Sequence, residues 1–173
     1  MDIGDYAFFL KIILLGCQSS GKSNILLRYT DGVFEEKELT YNYDFKIKDK
    51  VLQEKLMKLQ IWDTSTIYRN YFKSAHGFAI IIDLTNPDSF HSALYWKKEL
   101  DNYFSGKTPE IILIGNKADL ENQRFFTFEE AKKRADSLEM FYIEVSAKTN
   151  WNIEKSFEIL IRNILHRISN KAS

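Results

Sequence analysis

Apolar runs alternate along this chain with stretches whose apolar residues recur at helical spacing. Phe8–Leu15, Leu56–Trp62, Phe78–Leu84, Ile111–Gly115 and Phe141–Val145 read as strands. Tyr43-Asp44-Phe45-Lys46-Ile47 alternates and turns through Gln53-Glu54 into the Leu56 strand, which predicts a hairpin. Helices announce themselves by their ends. Asn86-Pro87 offers an N-cap and a first-turn proline for a helix with Phe90, Ala93, Leu94, Leu100 and Phe104 on its apolar face. Thr127-Phe128-Glu129-Glu130 is a capping box before Ala131, Ala135 and Leu138. Ile153, Phe157, Leu160, Ile161, Ile164, Leu165 and Ile168 form one stripe of a final helix. Strands alternating with helices predict an α/β fold with a mostly parallel sheet, and no repeat or linker divides residues 1–173 into more than a single domain.

In such a sheet ligands bind beyond the carboxyl ends of the strands, so the residues that follow strands carry the chemistry. Gly16-Cys17-Gln18-Ser19-Ser20-Gly21-Lys22-Ser23 fits G-x-x-x-x-G-K-[ST] and lies between a strand and a helix-like run. Backbone N–H groups of such a loop cradle phosphates, Lys22 adds a point charge, and the Ser23 hydroxyl suits a Mg²⁺ shared with a nucleotide. Asp63 follows the Leu56 strand and suits the same metal through water. Asn116-Lys117-Ala118-Asp119 and Ser146-Ala147-Lys148 follow two further strands. The Asp119 carboxylate can accept from N1–H and the 2-amino group of guanine, while Asn116 and the Ala147 backbone face O6 and the Lys117 stem covers the base plane. Adenine would leave Asp119 unpaired, at a cost of roughly 1–3 kcal/mol. The motifs together read guanine nucleotide.

Composition changes little of this picture. Hydrophobic residues make up 45% and the formal net charge is zero, so neither nucleic acid nor a polybasic membrane patch is indicated. Cys17 is the single cysteine, which fits a reducing compartment, and a cytoplasmic protein is expected. No apolar segment approaches the length of a membrane span. The end, Ser169–Ser173, offers no cysteine for a prenyl group, so membrane contact is expected only through a tail absent from this sequence. The histidines His76, His91 and His166 have no metal-ligand partners at suitable spacing.

These motifs, with Asp44-Phe45-Lys46-Ile47, Lys58-Leu59-Gln60-Ile61-Trp62, Tyr71–Gly77 and Asp83-Leu84-Thr85, resemble the small GTPases of the Ras superfamily, and within it the Rab family, over nearly the whole chain. The resemblance implies a three-layer P-loop G domain: a six-stranded, mostly parallel sheet with one antiparallel strand and about five flanking helices. It implies GTP or GDP with Mg²⁺, and a monomer that regulates vesicular traffic at the cytosolic face of endomembranes through effectors, an exchange factor and an activating protein. The nucleotide set it implies is Gly16, Ser19, Ser20, Gly21, Lys22, Ser23, Asn24, Phe34, Asn116, Lys117, Asp119, Leu120, Ser146, Ala147 and Lys148. Ser23, Thr40 and Asp63 would hold the metal, and Lys22, Thr40 and Gln18 would serve catalysis. Phe34 matches the aromatic that leans on guanine. Phe45, Trp62 and Tyr71 match a triad on which effectors dock, although aromatics at such positions serve equally as core.

The departures fall in the catalytic region. The family pattern after Asp63 has a glycine that senses the γ-phosphate and a glutamine that orients water; here the chain reads Thr64-Ser65-Thr66-Ile67-Tyr68, and the segment is shorter. Slow hydrolysis is expected, because a β-branched Thr66 resists the backbone angles a glycine permits and an unheld water reacts slowly. Gln18 either crowds the γ-phosphate or itself positions that water. The alternative to a slow regulator is an interaction module of the same fold whose surface does not respond to nucleotide.

Overall fold

A computed structural model describes residues 6–36, 45–63 and 69–171. Its six strands are β1 (Phe8–Gly16), β2 (Phe45–Leu52), β3 (Lys55–Asp63), β4 (Gly77–Asp83), β5 (Glu110–Asn116) and β6 (Phe141–Glu144), and its helices are α1 (Lys22–Asp31), α2 (Ser89–Phe104), α3 (Phe128–Ser137) and α4 (Ile153–Lys171). They form one sheet in the order β2-β3-β1-β4-β5-β6. Every neighbouring pair is parallel except β2 with β3, so the expected single antiparallel strand is the predicted hairpin. Its turn residues Gln53 and Glu54 both take positive φ, 52° and 60°, the geometry that lets a two-residue loop match the strands' twist.

Burial explains why the pattern was readable. All seven residues of central β4 are buried, as a strand covered on both faces requires, whereas edge strand β2 alternates exposed and half-buried positions. One core cluster joins the sheet to α1 and α4 through Leu10, Ile12, Ile25, Phe157 and Ile161; the other joins the opposite face to α2 and α3 through Ile13, Phe78, Phe90, Ala131 and Ala135. This is the expected three-layer arrangement, and it presents the carboxyl ends of β1, β3, β4, β5 and β6 along one rim.

The helix expectations divide. The Thr127 capping box is formed in both directions, Glu130 N–H to Thr127 Oγ1 at 3.2 Å and Thr127 N–H to Glu130 Oε2 at 2.9 Å. The α4 stripe is buried from Ile153 to Leu165. Helix α2 starts at Ser89 rather than at Pro87, because Asn86 Oδ1 accepts the Asp88 N–H at 3.0 Å and sets a turn before the first regular helical residue. Leu94 is not on the core face: α2 packs through Phe90, Ala93 and Leu100 and leaves Leu94 48% exposed on the rim of a groove against α3. The described residues hold four α-helices and two 3-10 turns, Arg69–Phe72 and Glu121–Gln123, against the five or so helices implied by resemblance. Between β3 and β4 the described residues, 69–76, begin with the Arg69–Phe72 turn.

Candidate functional site

Strand β1 ends in a loop whose course is imposed by two glycines. At Gly16, φ is 146° and a Cβ would stand 2.3 Å from the Ile81 carbonyl oxygen; at Gly21, φ is 91° and a Cβ would stand 2.2 Å from Asn116 Nδ2. Any other residue at either position would push the loop off the sheet or displace the Asn116 side chain. Lys22 Nζ folds back to donate to Gly16 O at 3.2 Å and Cys17 O at 2.7 Å, and Ser20 Oγ also donates to Cys17 O at 2.9 Å. The loop thereby closes around the Lys22 ammonium. Burial lowers the Lys22 pKa, with Asp63 and Cys17 opposing the shift.

Asp63, at the end of β3, is buried beside it. Burial raises its pKa, opposed by a hydrogen bond from the Ser23 side chain and by the charge of Lys22. A carboxylate taken out of water next to a serine hydroxyl is a donor set that a hard divalent cation completes, and one carboxylate plus substrate oxygens is how Mg²⁺ is usually held. Among the described residues no group of three or more His, Cys, Asp or Glu gathers as a self-sufficient metal cage. Thr40, the third expected metal contact, lies outside the described residues.

Asn116 ties the Gly16–Ser23 loop to the Ser146–Lys148 loop. Its Nδ2 donates to Ser20 O at 3.0 Å and its Oδ1 accepts the Ala147 N–H at 3.2 Å, with the side chain buried. Ser146 Oγ donates to Asp119 Oδ1 at 2.6 Å and accepts the Thr149 N–H at 3.1 Å, which orients the exposed Asp119 carboxylate. Lys117 takes φ 68°, and its ammonium is 2.7 Å from Asp83 Oδ2. Asp83 is held in turn by the Thr85 N–H and hydroxyl at 2.8 and 2.7 Å, while its own N–H donates to the buried Ser89 Oγ at 2.7 Å. Ser89 Oγ lies 3.4 Å from Cys17 Sγ, so the Lys117 anchor reaches back to the Gly16–Ser23 loop. Asp83 was visible in the sequence only as part of Asp83-Leu84-Thr85; its position directly after a strand was the signal that it too belongs to the rim.

The remaining expected residues are placed as follows. Ser19 has φ 61° and is exposed with Gln18 at the outer tip of the loop. The Asn24 side chain is committed to the Glu35 backbone, giving and taking one bond of 2.9 Å each. Phe34 is half-buried, Leu120 opens the 3-10 turn after Asp119, and Lys148 is exposed, 3.2 Å from Glu36. Phe45, Trp62 and Tyr71 form one row, with ring centroids 4.9 and 5.0 Å apart. Phe45 remains 40% exposed in that row. His76 has a structural task, its Nδ1 accepting the Lys11 N–H at 3.0 Å.

A family model described as the Ras family matches residues 11–166. The chain is 37% identical over 173 residues to the GTP-binding protein ypt1 of Schizosaccharomyces pombe, covering 96% of this chain and 85% of that protein. It is 38% identical over 173 residues to the Ras-related protein Rab-1 of Theileria parva, covering 95% and 78% respectively. The family match spans the rim loops described above, and the chain therefore belongs to the Ras family of small GTPases and is Rab-like within it.

Proposed function

We propose that this chain is a regulator of vesicular membrane traffic that binds GTP and GDP with Mg²⁺ and hydrolyses GTP slowly. One observation carries the reading: the phosphate loop, Asp63, the Asn116–Asp119 loop and the Ser146–Lys148 loop converge on one rim, cross-linked through Asn116. Lys22, held by two carbonyls, has a third N–H direction for a phosphate oxygen. Asp119, oriented by Ser146, presents its other oxygen to the two donors of guanine, and the Lys117 stem, pulled down by Asp83, lies over the base. Ser23, Asp63 and Thr40 would hold Mg²⁺, which when bound neutralises charge on the β- and γ-phosphates.

The slow step has a residue basis. Neither a glycine nor a glutamine occurs between Asp63 and Tyr71, so this stretch lacks the residue type that orients the attacking water in the family pattern. Gln18, exposed in the Gly16–Ser23 loop, is the amide that takes its place in this reading. The partly open row Phe45–Trp62–Tyr71 is the effector surface in this reading, and an exchange factor and an activating protein are the partners it implies. Single-turnover hydrolysis of preloaded GTP tests the proposal. The expected rate is below ~10⁻⁴ s⁻¹, under that of Ras-type enzymes that keep the glutamine; a faster rate rejects slow hydrolysis. Hydrogen exchange over Phe45–Asp63 that is identical in GDP and GTP-analogue forms would instead favour the non-switching module.

A further inference from the structure

Arg28 has no part in the motifs, yet it is the side chain that joins most of the base side together. From the last turn of α1 its Nε donates to Ala147 O at 2.8 Å, its Nη2 to Lys148 O at 3.1 Å and its Nη1 to Gly32 O at 2.5 Å. Its guanidinium also lies 6.0 Å from the centroid of the Phe34 ring. All three bonds go to backbone carbonyls rather than to a carboxylate, so they fix backbone position. The Ala147 residue is consequently held on both sides, its N–H by Asn116 and its carbonyl by Arg28.

The segment Gly32–Glu36 is held beside it by independent contacts. The Asn24 side chain makes its paired bonds to the Glu35 backbone, and Lys148 Nζ is 3.2 Å from Glu36 Oε1. This segment carries Phe34, so it and the Ala147–Lys148 loop are two jaws hinged on one guanidinium. We infer that Arg28 is the positioning residue that fastens the Phe34 segment and the base loop to α1, and so sets how slowly guanine nucleotide leaves. The inference rests on the guanine-nucleotide reading of this rim. A base stacked on Phe34 and bonded at Ala147 leaves only when the two jaws separate, and separation breaks the Arg28 fork. Lysine cannot replace the residue, because a single ammonium does not reach three carbonyls in the plane that a guanidinium spans.

The test uses the full chain loaded with N-methylanthraniloyl-GDP and Mg²⁺, with release followed by fluorescence after adding excess unlabelled GDP. Arg28→Lys and Arg28→Gln are expected to speed release about tenfold or more, as expected for the loss of charge-assisted bonds. Capture of the same nucleotide should stay within about threefold, because variants of one site act mainly on dissociation. A folding defect would slow capture as well, which a positioning defect does not. Asn24→Ala, which frees the same segment without touching Arg28, should also speed release, and it carries the test where the Arg28 variants fail to fold. Wild-type release rates in the folded variants, or slowed capture with unchanged release, would overturn the role of Arg28 alone. A wild-type chain that takes up no labelled GDP would overturn the guanine-nucleotide reading itself, and this inference with it.

Discussion

Replacing Arg124 by methionine probes how the loops that follow β5 and β6 are braced. Arg124, five residues beyond Asp119, meets Glu144 just before Ser146 in a bidentate pair, Nη1 to Oε2 at 2.9 Å and Nη2 to Oε1 at 2.6 Å. Tyr142 Oη adds a bond to Oε1 at 2.8 Å, and it fits because Gly115 has no side chain: a Cβ there would stand 2.6 Å from that hydroxyl. Glu144 is 6% exposed, so Arg124→Met leaves a buried carboxylate with a single donor to its side chain. Breaking a buried pair from one side costs about 3–5 kcal/mol, and since the Arg124 side chain keeps 20% exposure and admits water, the lower figure applies here. At this chain length about 3 kcal/mol corresponds to roughly a 10 °C fall in Tm. Urea unfolding at pH 7 is the assay, with Arg124→Met/Glu144→Gln expected to recover more than half of the loss. A loss below about 1 kcal/mol, or a double variant no more stable than the single one, would refute the reasoning.

Two further expectations concern single residues. Gly21→Ala forces a Cβ to 2.2 Å from Asn116 Nδ2 at φ 91°, so it should cost about 1–3 kcal/mol and weaken nucleotide binding; thermal melting and titration with labelled GDP that match wild type would show that the glycine is dispensable. For His76, burial and then the Lys11 charge hold the pKa below its ordinary value. The unfolded chain therefore protonates first, and this contribution to stability is complete above about pH 6.5 and is lost as pH falls through the depressed folded value. His76→Asn, which keeps an acceptor for the Lys11 N–H, should flatten the stability profile between pH 7 and 5; an unchanged slope would assign it to other groups.

Much of this site was legible before any coordinates, because its chemistry lies in short contiguous motifs placed directly after strands. The Gly16–Ser23 loop, Asn116–Asp119 and Ser146–Lys148 each follow a strand whose apolar run is unmistakable, as the fully buried β4 illustrates for its neighbours. The ties between them were not legible. Asp83 with Lys117, and Arg28 with Ala147, pair residues far apart in sequence, and no periodicity in either partner points to the other. Leu94 failed for a related reason: helical spacing identifies a stripe, but the angle at which α2 meets the sheet decides which edge of it is covered. The start of α2 was misread because Asn86 can cap a turn as readily as a helix.

Identifying the nucleotide that accompanies freshly purified protein tests the central claim most directly: denature the protein and resolve the released base and phosphate number by chromatography. A guanine nucleotide in near-stoichiometric amount, with GTP retained as a substantial fraction, is the result the proposed function predicts, because it assigns the phosphates to the Gly16–Ser23 loop and guanine to Asp119, while no glutamine lies between Asp63 and Tyr71. An adenine nucleotide, or none, would contradict the reading of Asp119, Asn116 and Lys22, and GDP alone from protein preloaded with GTP would contradict slow hydrolysis.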